Sequence, residues 1–187
     1  MTVLSRTLAL ALLPLLAACG DSNARYLVDA PVPAQQQRVR VSTVEMREVT
    51  LPAYAAASEI LVQQADGALR PVRNAIWAED PTRGVTLALA RNLDAAASAT
   101  VMAEPWTLER RPDVQVDVRI ERMVAQNDGQ YRLAGQYAIA SPDLVIRESV
   151  GRFDISQPLA DTDPASVARA TGAALMTLSQ QIAGRLR

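Results

Sequence analysis

The sequence predicts an α/β fold of the α+β type: a single domain in which two main helices pack on a mostly antiparallel or mixed sheet. Three observations point there. Two segments carry helical apolar spacing behind an Asp-Pro start, at Asp80-Pro81 and at Asp163-Pro164. Residues 113–155 alternate apolar and polar side chains over long stretches, interrupted by a short turn signal at Asn127-Asp128-Gly129. The chain has 187 residues, and once its N-terminal leader is set aside the remainder has the length of one domain.

The leader comes first in the chain. Arg6 supplies a short basic start, Leu8 to Leu16 form an apolar run, and Leu16-Ala17-Ala18-Cys19 has the Leu-small-small-Cys pattern of a lipobox. A permanent membrane helix needs roughly 20 apolar residues, so this shorter run reads as a processed signal segment, residues 1–18. Cys19 is the only cysteine in the chain, and its thiol is the group that takes up a diacylglyceryl thioether. Burial of acyl chains contributes about 0.8 kcal/mol per CH₂, and two or more chains hold a protein stably where one does not. Gly20 rather than Asp follows the cysteine, which under the enterobacterial sorting rule favours the outer membrane. Residues 19–37 then read as a lipidated N-terminus and tether, with Arg25-Tyr26-Leu27-Val28 as a short edge strand and a Pro- and Gln-rich linker behind it.

The folded body is expected over 38–187. Val39, Val41, Val44 and Met46 alternate as in a half-buried strand, and Pro52 ends that run. Residues 59–64 and 69–76 form a strand pair around the Asp66-Gly67 turn. Asp80 caps a helix with Pro81 at its first position, and Val85, Leu89, Leu93 and Ala96 mark its buried stripe. Thr100 to Ala103 is a short strand. The alternation of Val114, Val116, Val118 and Ile120, then Tyr131, Leu133, Tyr137 and Ile139, describes an antiparallel meander. Residues 144–150, an apolar run from Leu144, are read as its next strand, with Phe153 and Ile155 at the end. From Asp163-Pro164 a helix presents Val167, Thr171, Ala174, Leu175, Leu178, Ile182 and Leu186 on one face, which is expected to dock on the domain's own sheet, the alternative being an exposed face for a partner.

The composition excludes much chemistry. There is no His and no Lys, so the commonest general base and metal ligand is missing and no Ser/Lys dyad can form. The glycines do not cluster into a phosphate loop, and the Asp-Gly pairs lack metal-loop spacing. Acid pairs such as Glu104 with Glu109, or Glu79 with Asp80, read as solvated or capping residues. Removing Arg6 with the leader leaves eighteen Arg against twenty acids, a formal net charge of −2, which gives no basic surface for nucleic acid. No catalytic residue, metal site or cofactor is expected. Trp77 is expected to bury its ring over the start of the first helix, its N–H finding an acceptor, with a lipid or protein contact as the alternative, and Trp106 reads similarly.

The motifs taken in order resemble a known family. The lipobox is followed by Tyr26-Leu27, Leu51-Pro52-Ala53-Tyr54, Trp77-Ala78-Glu79, and a helix ending Ala90-Arg91-Asn92-Leu93. This pattern is similar to the PqiC/YmbA family, the auxiliary lipoproteins of ABC-type, MCE-associated transport. Later segments agree: 113–122 with the family's Val-rich strand, 131–140 with its hairpin return, and 175–182 with its Leu-Ser-x-x-Ile-Ala helix. The resemblance implies a non-enzymatic subunit tethered to the outer membrane that docks on an MCE-domain protein and its ABC permease and ATPase. Such a system moves phospholipids or related molecules across the envelope. It also singles out Pro52, Tyr54, Trp77 and Glu79 as motif residues and places for contact, and allows a homo-oligomer. The alternative is a stand-alone outer-membrane lipoprotein that binds lipid or scaffolds an envelope assembly, for which a closed apolar cavity would be the structural sign.

Overall fold

The computed structural model of the chain describes residues 23–28 and 31–187. The leader and Cys19 lie outside the described residues. The elements run β1 (Ala24–Tyr26), β2 (Thr43–Met46), β3 (Glu59–Gln63), β4 (Leu69–Trp77), α1 (Pro81–Ala96), β5 (Thr100–Ala103), β6 (Val114–Gln126), β7 (Gln130–Ala140), β8 (Ser149–Pro158) and α2 (Pro164–Arg185). All eight strands join one mixed sheet.

The long strand β6 is its hub. On one side β6 runs antiparallel to β7, and β7 antiparallel to β8, as the alternation over 113–155 predicts. On its other side β6 receives two short parallel strands end to end. β2 lies against its start, with Val44 opposite Val114 and Met46 opposite Val116. β3 lies against its end, with Val62 opposite Ala125 and Gln63 opposite Gln126. Each of these strands begins a separate arm. β5 adds in parallel to β2, while β4 pairs antiparallel with β3 and carries β1 in parallel on its outer edge. A register shift between Ile120 and Arg122 bends the hub between the two arms.

Both helices cover one face. Val114, Val116, Val118 and Ile120 of β6 point into it with Leu133 and Ile139 of β7 and Phe153 and Ile155 of β8, all buried. The predicted stripes of α1 and α2 meet them: Val85, Leu89, Leu93 and Ala96 on one, Leu175, Leu178, Ile182 and Leu186 on the other, are fully buried. The helices also pack on each other, and the Ser179 hydroxyl of α2 donates to the Leu89 carbonyl of α1 at 3.3 Å. α2 thus docks within its own domain, as its stripe predicts. On the opposite sheet face Asp117, Arg119, Gln136 and Arg152 remain half-buried or exposed.

The helix starts agree with the sequence in position and differ in detail. Asp80 caps α1, its Oδ1 accepting the Arg83 N–H at 3.0 Å. Asp163 precedes Pro164 with an extended backbone but its side chain caps nothing; Asp161 accepts the Asp163 N–H instead, at 3.1 Å. Two strand expectations are corrected. The run Val39–Val41 is irregular chain ahead of β2, because its N–H groups turn to Ser98 Oγ and the Leu186 carbonyl instead of a neighbouring strand. Residues 144–148 form no strand: Leu144 has φ +52°, the run leaves the sheet, and β8 begins only at Ser149.

Candidate functional site

The motif Leu51-Pro52-Ala53-Tyr54 sits where the two arms part. After β2 the chain keeps contact with β6: Arg47 N–H donates to the Val116 carbonyl, Thr50 N–H to Val118, and Ile120 N–H back to Thr50, at 2.9–3.0 Å. β3 resumes pairing only at Ala125. The Met123 N–H falls in the gap on that same edge, and the Tyr54 hydroxyl accepts it at 3.1 Å. Pro52 ends the first run, and its carbonyl accepts the Ala55 and Ala56 N–H groups at 2.8 and 3.1 Å, which makes the turn. Tyr54 thereby supplies a side-chain acceptor where no strand is present.

Trp77 ends β4 and turns inward, 8% exposed, its backbone N–H donating to Ser58 at 2.8 Å. Its ring shares a wall with Tyr54, Ile60, Met123, Tyr131 and Val167 around a space of only about 20 Å³. The Tyr131 hydroxyl is sealed in the core without a hydrogen bond of good geometry. Burial pushes its ionisation up, offset in part by the neighbouring Thr171 hydroxyl, which itself donates to Val167. Glu79 is exposed and lies across the first turn of α1; a Cβ at Gly84 would approach its Oε1 to 3.2 Å. A carboxylate there faces the favourable end of the helix dipole. The structure therefore brings Tyr54 and Trp77 together, sets Pro52 in the turn that leads to Tyr54, and leaves Glu79 on the surface.

A second feature went unread in the sequence. At the opposite end of β6 the loops 104–113 and 141–148 meet in a cleft of about 440 Å³, with Pro105, Trp106, Leu108, Pro112, Pro142, Glu45 and Arg111 in its lining. The loops are braced to each other and to β2. The Asp113 carboxylate accepts the Ser42 and Thr43 N–H groups at 2.7 and 3.2 Å. The Asp113 carbonyl accepts the Ser141 hydroxyl at 2.9 Å, and Ser141 N–H donates to Glu148. Trp106 donates its indole N–H to the Arg110 carbonyl at 2.7 Å, so this ring lies in a surface loop and does not anchor the core. Beside the cleft, Glu104 accepts from Glu48 N–H and from Arg47, bonds that hold its carboxyl below its ordinary range. Glu45 at the floor is 5% exposed, and its hydrogen bond is to the neutral Gln115 amide at 2.7 Å. The three prolines with a Trp were the available signal; the apolar run at Leu144 concealed the rest by reading as a strand.

Among the described residues no group of three or more acidic or Cys side chains could hold a metal ion. No helix among them is long and apolar enough to cross a membrane.

The fold recurs in solved structures. A crystal structure of an uncharacterized protein is 14% identical with a TM-score of 0.71, covering 89% of this chain and 99% of that one. A protein from Xanthomonas campestris, described by the family model DUF330, is 18% identical with a TM-score of 0.64, covering 86% and 93%. At such identities the likeness is one of fold alone. No curated protein sequence matches the chain. The family model described as "ABC-type transport auxiliary lipoprotein component" matches residues 26–183, from β1 to the end of α2, and the chain belongs to that family, a non-enzymatic auxiliary lipoprotein of ABC-type transport.

Proposed function

We propose that this protein is acylated on Cys19, held at the periplasmic face of the outer membrane, and docks on the MCE-domain protein of an ABC-type phospholipid transport system. The observation that carries this reading is the family match over residues 26–183, preceded in the sequence by a lipobox ending at Cys19. The domain supports it by what it offers: a rigid sheet with two helices, a braced cleft at one end, and Tyr54 and Trp77 used to close the core rather than to hold a substrate. ATP is hydrolysed by another subunit of the system.

The stand-alone lipid carrier gains no support from the interior. The space beside Trp77, about 20 Å³, holds on the order of one water molecule, far less than an acyl chain. Mass spectrometry of the mature protein and co-purification from membranes test the reading together. A diacylated N-terminal Cys19 and recovery of an MCE-type protein are expected, with Cys19→Ala losing both the acyl mass and the cleavage after Ala18. Acylated protein that brings down no MCE-type or ABC subunit would sink the docking role.

A further inference from the structure

The direction of the chain around β1 orients the domain. β1 runs parallel to β4, with Ala24 beside Ala75, so β1 is entered from the side of the start of β4 and the turns at 64–68 and 127–129. Only four residues lie between Cys19 and Ala24, five chain steps with a reach of at most about 18 Å. Through the pairings of β4 with β3 and β3 with β6, β1 lies level with about Arg122 of the hub. From there to Val114, where the cleft begins, is about 26 Å of strand. An acyl group on Cys19 therefore cannot let the domain stand on its cleft end; standing upright on the anchor, it presents that end to the periplasm.

Apolar side chains are exposed at that end, as Leu27 and Val32 are nearer the N-terminus. Leu108, 51% exposed, lines the cleft with Trp106 and three prolines, and Leu144, 75% exposed, and Val145, 46%, follow Pro142 of the lining in the loop 141–148. Leu144 is held in the left-handed region at φ +52°, a conformation a leucine adopts only under constraint, while its side chain gains no cover from its own chain. The constraint comes from Ser141, whose carbonyl accepts the Leu144 N–H at 2.9 Å and whose hydroxyl accepts from Ile146 at 3.4 Å. The loop is thus preorganised to show Leu144 to solvent. The cleft is acidic on balance: Glu45, Glu104 and Glu109 line it against the single cation Arg111, Glu104 is paired with Arg47, and the nearly buried Glu45 carboxylate is bonded to the neutral Gln115 amide. Burial of a charge is costly unless an opposite charge meets it.

We infer that the pole formed by loops 104–113 and 141–148 is the docking face, and that its occupant is an extended periplasmic segment of the transport partner bearing an apolar side chain next to a basic one. The inference rests on the reading under Proposed function and deepens it. The apolar side chain enters the cleft against Trp106 and Leu108, and the cation meets Glu45.

The test uses full-length acylated lipoprotein in detergent, with the purified periplasmic region of the MCE-type protein as probe. The double variant Leu108→Glu/Leu144→Glu is expected to weaken binding at least about tenfold. Leu144→Gly relieves the backbone constraint, so it is expected to weaken binding without lowering the melting temperature, which separates lost contact from lost fold. Glu45→Gln is expected to flatten the salt dependence of binding. Leu69→Glu, an exposed position at the opposite pole, serves as the control and is expected to bind like the native chain. Binding by the double variant within twofold of native, or an equal loss from Leu69→Glu, overturns the docking face while leaving the function standing. An acylated native protein that does not bind the probe overturns both.

Discussion

Two tyrosine hydroxyls in the same wall of the core have opposite fates, and they give opposite mutational signs. The Tyr54 hydroxyl accepts the Met123 N–H in the gap between the arms. Tyr54→Phe leaves that backbone donor without a partner, which costs about 1–3 kcal/mol. The Tyr131 hydroxyl makes no good bond, so Tyr131→Phe is expected to leave stability unchanged or raise it by less than about 1 kcal/mol. Urea unfolding of both variants checks the contrast; equal losses would mean that the hydroxyls are equivalent. The pH dependence follows from burial, which raises the ionisation of Tyr131 in the folded state. Below about pH 10, the ordinary tyrosine value, both folded and unfolded chains keep the proton and the contribution to stability is complete. Above it the unfolded chain releases the proton first, so stability falls as pH rises toward the folded value. Tyr131→Phe is expected to remove that part of the alkaline slope. Neither role was legible beforehand: the sequence placed Tyr54 in a motif, but its partner Met123 is 69 residues away.

At the scale of elements, what was legible is what depends on near neighbours. The helices and the β6–β7–β8 meander declare themselves because Asp-Pro starts, 3.6-residue stripes and two-residue alternation are all local patterns. The parallel placement of β2 and β3 on one edge of β6 is decided by contacts over 50 or more residues, and their four- and five-residue lengths carry too little pattern to show it. The run Leu144-Val145-Ile146 misleads because two exposed apolar residues and the half-buried Ile146, at a surface loop, imitate a strand in sequence. The same reasoning explains why the cleft stayed hidden while the motif residues did not. The bend in β6 offers an element-scale prediction. Gly135 of β7 lies opposite Ile120, beside the register shift, and a Cβ there would collide with the Arg119 carbonyl and press on Phe153. Gly135→Ala forces backbone to move at the hub of the sheet, with an expected loss of about 1–3 kcal/mol. Gly67→Ala tests the position rather than the residue type: its added Cβ meets nothing, and only the positive φ of a turn opposes it. Thermal unfolding that ranks Gly67→Ala as the worse of the two would contradict the tight approach at Gly135.

With Cys19 acylated as proposed, the whole molecule would combine a short leash, a long strand axis and a braced far end. β1 is built into the sheet, and Gln37 bonds to Ala96 and to the Arg187 side chain, so chain near the N-terminus belongs to the rigid body. Slack between an acylated Cys19 and the domain would then be confined to the four residues before Ala24, five chain steps, which would keep the cleft end on one side and within a narrow range of heights. Inserting twenty Gly/Ser residues between Cys19 and Ala24 lengthens the leash about fivefold without touching the fold. The closure cost grows as 1.5RT times the logarithm of length, so the effective concentration of the domain at a membrane-held partner falls about tenfold. Affinity for a soluble partner fragment in solution is unaffected, since no leash enters that equilibrium. The pair of measurements is therefore diagnostic: a crosslinker at position 108 should lose about tenfold in cellular yield while the purified lipoprotein binds the soluble fragment unchanged. Undiminished crosslinking in cells would mean that the partner, rather than the short leash, holds the domain upright.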